Sequence, residues 1–183
     1  MAVLNKLTAV EPDDTSAMEK QMRLRKQLEQ LTTTEVASDA MKIIMRIGDD
    51  VQMIQDVYVS AFNAEVKEEL HRVCVTELGR LFGVSSDALK QQDEETVLNH
   101  RDAVLALTAT ISLLGHAKDA ASLIMEAVSS PLTLKVQAAT VLLQLNPDMS
   151  PMFEKFTPAT STTKERLFLL NFQEQFGLQV SHA

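Results

Sequence analysis

The side chains best suited to chemistry lie in one short segment. Glu68 and His71 have the Glu-x-x-His spacing with which the helices of di-iron bundles present two metal ligands on one face. Cys74 follows one turn later, so a metal cluster here is one interpretation. A di-iron site also requires a second pair and further glutamates, and no other histidine has an acidic residue three positions before it. The preferred interpretation is that Glu68 and His71 lie on a helix surface and that Cys74 belongs to the core beside it. A metal-dependent helical enzyme is the less favoured alternative.

Other patterns typical of catalysis are incomplete. His100, Arg101 and Asp102 spell the His-Arg-Asp of a kinase catalytic loop, but no glycine-rich phosphate loop, strand lysine or Asp-Phe-Gly segment accompanies them. Cys74 lies between two valines in a predicted helix interior, where a nucleophilic thiol would lack a base and a positive environment. The hydroxyl-rich segment Thr157 to Thr163 can accept phosphate, although such a loop is usually only a connection. We therefore predict no enzymatic activity and no cofactor.

Composition and charge restrict the class of protein. A length of 183 residues predicts one domain with a substantial core. The formal net charge of −8 argues against nucleic-acid binding, which requires a basic surface. The single cysteine cannot form an internal disulfide, which suits a reducing compartment. No uncharged apolar run approaches the ~20 residues that span a bilayer, and the first residues lack a secretory signal. We predict a cytoplasmic protein that does not insert into membranes.

Residues that typically end helices recur at nearly regular intervals. They are Gly48, Gly83, Gly115, Asn146 and Gly177, separated by 35, 32, 31 and 31 residues. The positions one, five and eight residues before each stop, here called the apolar column, are apolar in fourteen of fifteen cases, and Thr110 is the exception. Apolar residues three or four apart are typical of a helix that packs one face on a neighbour. Gly and Asn suit the position after a helix because a positive φ there is costly for other residues. The pattern predicts an all-α fold.

Residues 99–156 contain the most regular part of this pattern. Residues 103–125 align with residues 134–156 at an offset of 31, and the segment KVQAATVLLQLNP has a charged entry, an alanine pair and a leucine-rich exit. This region resembles HEAT-like and armadillo-like helical repeats. The resemblance implies stacked antiparallel helix pairs, an α-solenoid-like fold, whose faces bind another protein without fixed catalytic residues. The longer first interval, a weak second helix after Gly83 and Thr110 in the apolar column depart from it, so a compact irregular helical bundle is the alternative.

Capping residues divide the chain into helices. We predict a flexible arm over residues 1–14, a single all-helical domain over residues 15–178 and a short tail over residues 179–183. The predicted helix starts lie at Ser16, Thr32 to Thr34, Asp49 and Asp50, Asn63, Ser85 or Ser86, Asn99 and Thr162. The polar stretch from Gln91 to Glu95 is expected to be an exposed connection.

A non-enzymatic adaptor or scaffold is the first functional hypothesis, with a helical groove or ridge that holds a partner protein. The candidate apolar contact is Met149, Met152, Phe153 and Phe156, for which core packing is the alternative. The candidate charged contact is Lys20, Arg23, Arg25 and Lys26 on the N-terminal helix, which are either a solvated face or a docking site for an acidic partner. The same helix is a candidate homo-oligomer contact. The alternative function is a secretion or assembly chaperone that keeps a client protein soluble.

Overall fold

The computed structural model describes residues 18–23 and 32–178. Its helices are α1 (Thr33–Ile47), α2 (Val51–Met53), α3 (Ala64–Phe82), α4 (Ser86–Lys90), α5 (Glu94–Leu113), α6 (Ala117–Glu126), α7 (Leu132–Leu145), α8 (Ser150–Phe153) and α9 (Thr163–Gln175). A π-helical segment, Ile54–Val59, follows α2, a 3-10 turn, Pro147–Met149, precedes α8, and residues 18–23 are also helical. The described ranges contain no strand, which confirms the all-α class. The predicted arm and the tail lie outside them.

Local capping explains where most helices begin. At α1 the Thr32 hydroxyl accepts a hydrogen bond from the Glu35 amide while the Glu35 carboxylate accepts one from the Thr32 amide, a complete capping box. The predicted caps Asp50, Asn63, Ser85 and Thr162 each accept a hydrogen bond from an amide in the first turn.

The start predicted at Asn99 is wrong, because α5 begins at Glu94. Asp93 caps this helix, and its carboxylate accepts a hydrogen bond of 2.8 Å from the Thr96 amide. Hydrogen bonding to Thr96 also lowers the pKa of Asp93. Three residues of the predicted connection, Asp93 to Glu95, therefore belong to the helix or its cap.

Helix α5 lies at the centre of the fold, in contact with α1, α3, α6 and α7. Every residue from Ala103 to Ser112 is buried, which agrees with the apolar run in the sequence. Thr110, the exception in the apolar column, is also buried. Its hydroxyl is satisfied there because it donates a hydrogen bond of 2.7 Å to the Ala106 carbonyl. The buried apolar side chains form one connected core. None of the helices in the described ranges combines the length and the apolar character needed to cross a membrane.

The helix stops are of two kinds. Gly48, Gly115 and Gly177 have the positive φ expected after a helix. Gly83 has φ −76° and Asn146 has φ −136°, so the expectation is wrong for these two. Gly83 continues the helical turn, with its amide bonded to carbonyls three and four residues back. Asn146 precedes a proline, which disfavours helical backbone, and its side-chain amide donates to the Leu142 carbonyl at 3.0 Å.

The apolar column before the stops is nearly all shielded from water. Fourteen of its fifteen positions are buried or half-buried, and the exception is Ile43, which is 51% exposed. The column therefore identifies the packing faces of the helices. Helix α5 alone contacts four other helices. Whether the helix pairs form a true repeat stays a prediction.

Candidate functional site

A groove opens where the amino-terminal turns of α5, α7 and α9 approach one another beside α4. Its volume is about 700 Å³ and its rim is open to solvent. Its apolar lining comes from Leu89, Val97, Leu98, Val128 and Leu132. Val128 is 87% exposed and Leu98 is 43% exposed, so water contacts apolar side chains at the rim. A concave surface with exposed apolar side chains is typical of a binding site.

Hydrogen bonds hold the exposed Val128 in place. The Ser129 carbonyl accepts hydrogen bonds from both the amide and the hydroxyl of Ser86, at 3.0 and 3.3 Å. The Ser130 hydroxyl is buried and donates to the Phe82 carbonyl at 2.7 Å. The segment between α6 and α7 is thus tied to the end of α3 and the start of α4. The exposure of Val128 is therefore a feature of a fixed backbone.

The polar side of the groove contains a nearly buried lysine ammonium group and a carboxylate that accepts two hydrogen bonds. Lys135 is only 8% exposed, and burial lowers the pKa of its ammonium group. Within residues 32–178 Lys135 makes no ion pair. Glu165 accepts hydrogen bonds from the hydroxyl and the amide of Ser161, at 2.6 and 2.9 Å, and these bonds lower the pKa of the carboxyl group. The groove therefore offers both an acidic and a basic contact beside its apolar lining.

Helix α9 presents a second apolar surface. Leu169 and Phe172 are buried against the core, whereas Leu167 and Leu170 are 55% and 37% exposed. At 100° per residue, Leu167 and Leu170 lie on the side of the helix opposite the buried pair. They form an outward ridge that is partly exposed to water.

The predicted apolar contact around α8 belongs mostly to the core. Met149, Phe153 and Phe156 are buried, and Met152 is half-buried and packs against the same core. The rings of Phe153, Phe156 and Phe172 meet edge to face, with centroids 5.7 to 6.4 Å apart. Core packing, the alternative interpretation, is confirmed for the three buried residues. These three residues are therefore not an exposed contact, whereas partner binding through the half-buried Met152 stays a prediction.

The predicted basic contact is only partly within the described residues. Lys20 and Arg23 are exposed on the helical segment 18–23, and Arg25 and Lys26 lie outside the described ranges. Docking of an acidic partner and contact between copies of the chain through this helix both stay predictions.

His71 lies among different side chains from those the sequence suggested. Its Nε2 atom is 2.7 Å from Oδ2 of Asp119, and its ring stacks on that of His116 with centroids 3.6 Å apart and planes 12° apart. One ligand atom from each of these three residues lies within 4.8 Å of the other two. Glu68 is exposed and Cys74 fully buried, and neither belongs to this group. The His71 side chain thus contacts residues at the start of α6 rather than Glu68 and Cys74 on its own helix.

Cys74 and the His-Arg-Asp motif both lie within helices. Burial raises the pKa of the Cys74 thiol to about 12, which suppresses the reactive thiolate. The His-Arg-Asp sequence, His100 to Asp102, lies inside α5 rather than in a loop. Burial lowers the pKa of His100, as does the nearby charge of Arg80. Phosphorylation of residues 157–163 stays a prediction.

The sequence alone predicted neither the groove nor the cluster of His71, His116 and Asp119. No sequence pattern indicates that Val128 is exposed, and Lys135 is noted only as the charged entry of an apolar segment. His116 and Asp119 have a His-x-x-Asp spacing across a helix start, a visible signal, but 45 residues separate His116 from His71. Only the packing of α3 on α6 brings them together.

Comparisons with protein-family models, curated proteins and solved structures found no match to this chain.

Proposed function

We propose that this protein is a non-enzymatic adaptor that holds a segment of a partner protein in the groove between α5, α7 and α9. The observation that supports this most is the exposure of Val128 and Leu98 at the rim of a concave surface. Covering these side chains would remove apolar area from water, at about 25 cal/mol per Å².

The groove suits an extended or helical segment better than a small enclosed molecule. Its rim is open to solvent, and the contacts it offers differ in chemistry along its length: an apolar rim, the Lys135 ammonium and the Glu165 carboxylate. A matching segment would place an apolar side chain between Leu98 and Val128. It would place an anionic group at Lys135 and a cationic group at Glu165. The net charge of −8 favours a partner that is neutral or basic overall.

The outward ridge of α9 supports a scaffold role in particular. Leu167 and Leu170 form an apolar surface on the side of α9 away from the core, whereas Glu165 at the start of the helix lines the groove. Two apolar surfaces allow two partners to bind together, as a scaffold requires. A secretion or assembly chaperone would instead form one stable complex with a client that becomes insoluble without it.

Matched surface variants test this proposal. Val128→Glu and Leu98→Glu place a charge at the groove rim, and Ile43→Glu places the same charge on α1, where Ile43 is 51% exposed. Affinity capture with quantitative mass spectrometry would identify proteins retained by wild type and by Ile43→Glu but lost by both groove variants. With the purified partner we expect the dissociation constant to rise at least about tenfold in the groove variants only.

Two results would count against the adaptor role. If every captured protein is retained by the groove variants, the groove is not the binding surface. If Ile43→Glu abolishes binding as strongly, the contact is not local to the groove. Circular dichroism and thermal unfolding of all three variants would separate loss of binding from loss of folding. Capture of one client whose solubility depends on this chain, without a second partner, would favour the chaperone.

A further inference from the structure

We propose that His71, His116 and Asp119 bind one divalent transition-metal ion of the zinc class at the contact between α3 and α6. The three side chains supply two imidazole nitrogens and one carboxylate oxygen, whose ligand atoms all lie within 4.8 Å of one another. His71 projects from the middle of α3, His116 occupies the position just before α6 without a capping side-chain hydrogen bond, and Asp119 lies in the first turn of α6. This inference does not depend on the adaptor proposal.

The ligand atoms of the three residues are nearly as close together as in a zinc site, but they are not yet arranged around a common centre. Ligand atoms about 2.0 to 2.1 Å from a tetrahedral zinc ion lie roughly 3.3 Å from one another. The His71 and Asp119 atoms are 2.7 Å apart and share a hydrogen bond, so an ion would replace the bridging proton and separate them slightly. Because no two of the ligand atoms are more than 4.8 Å apart, the widest separation must shrink by at most about 1.5 Å to reach the same spacing.

Side-chain rotation alone can make this change. Parallel stacked rings direct their nitrogen lone pairs side by side, so binding requires His116 to turn away from the His71 ring. His116 and Asp119 are exposed and have room to move, whereas the His71 side chain is 21% exposed and more restricted. The backbones are held by the packing of α3 on α6, where a β-carbon at Gly79 would lie 3.6 Å from Leu123. His71 is therefore the fixed ligand and the α6 side chains are the adjustable ones.

The donor set indicates the class of metal. Two imidazoles and a carboxylate suit zinc and the related ions cobalt and nickel, whereas calcium and magnesium prefer ligands that are all oxygen. Three protein ligands leave a fourth position, which faces solvent beside His116 and Asp119 and would hold water. The bound ion would join α3 directly to α6.

Zinc titration of the untagged full-length protein tests the proposal, since a polyhistidine tag would bind the same ions. Isothermal titration calorimetry in a buffer that does not bind metals should give one zinc ion per chain, with weaker binding as the pH falls because the imidazoles must be neutral to ligate. Zinc should raise the midpoint of thermal unfolding. Cobalt should give the visible absorption of a site with nitrogen and oxygen ligands.

Matched variants locate the ion. His71→Ala and His116→Ala should each weaken zinc binding at least about tenfold and abolish the zinc-dependent rise in the unfolding midpoint. Glu68→Gln, on the same helix as His71 but outside the cluster, should bind zinc as wild type does. Asp119→Asn keeps the shape and loses the charge, so it should also weaken binding. Circular dichroism of each metal-free variant checks that the fold persists.

The proposal is overturned by no binding up to about 1 mM zinc, or by binding that His116→Ala leaves unchanged. A loss in Glu68→Gln equal to that in His71→Ala would also overturn it, because the ion would then lie along α3 alone.

Discussion

Replacement of Phe153 by alanine tests whether the α8 residues belong to the core. The side chain is fully buried, and its ring meets Phe156 and Phe172 edge to face at 5.7 and 6.4 Å. Phe172 belongs to α9, so the ring also helps to hold the last helix on the fold. Truncation at this position removes buried area and leaves a cavity beside two other aromatic rings.

The expected loss is large for one substitution. A buried Phe→Ala change typically costs about 3 to 5 kcal/mol, of which each lost ring pair accounts for roughly 0.5 to 1.5 kcal/mol. A domain of this kind has a total stability of about 5 to 15 kcal/mol. Leu167→Ala on the outer side of α9 is the matched control, because its side chain is 55% exposed. Its cost should be within about 0.5 kcal/mol of zero.

Urea unfolding followed by far-ultraviolet circular dichroism measures both changes. The midpoint should fall strongly for Phe153→Ala and stay nearly unchanged for Leu167→Ala, with similar slopes for all three proteins. A loss below about 1 kcal/mol for Phe153→Ala would refute the core assignment. An equal loss in the two variants would show instead that α9 is anchored by its outer ridge.

Three further predictions concern caps and titrating groups. Asn63→Ala should destabilise the protein by about 1 kcal/mol in the same urea assay, because the side chain accepts the Val66 amide at the start of α3 at 2.9 Å. The Cys74 thiol should react slowly with a thiol reagent at pH 8 in the folded protein and rapidly in urea, because burial raises its pKa to about 12. The lowered pKa of Asp93 means that its carboxylate stabilises the fold above the unfolded pKa of about 4, and that this contribution is lost as the pH falls through the folded value. The stability advantage of wild type over Asp93→Asn should therefore be present at pH 7 and decline in acid, as urea unfolding at several pH values would measure.

Helix starts were the most predictable part of the fold because capping is local. Asn63 and Thr162 each bond to an amide three residues away, so a short window of sequence contains the whole interaction. The prediction failed at Asn99 because two caps compete within seven residues and Asp93 comes first. It failed for the backbone of Gly83 because the residue type alone does not determine whether a helix ends in a left-handed turn.

The candidate sites were less predictable because they depend on packing between distant segments. Helical periodicity identified Leu169 and Phe172 as core, but Leu167 and Leu170 are equally apolar, and only their angular position distinguishes them. The metal candidate required knowledge that α3 packs on α6.

The groove itself follows from the length of α5. The carboxyl-terminal half of this helix is surrounded and fully buried from Ala103 to Ser112, whereas residues 94–99 are exposed or half-buried. The first turns are therefore less enclosed than the rest of the helix, and Leu98 lies on this exposed part. The segment carrying Val128 is tied to the start of α4 through Ser129, and it leaves Leu98 exposed. Shortening α5 from its amino end would remove one wall of the groove while the central packing stayed in place. This arrangement separates the residues that stabilise the fold from those that the proposed adaptor role would use to contact a partner.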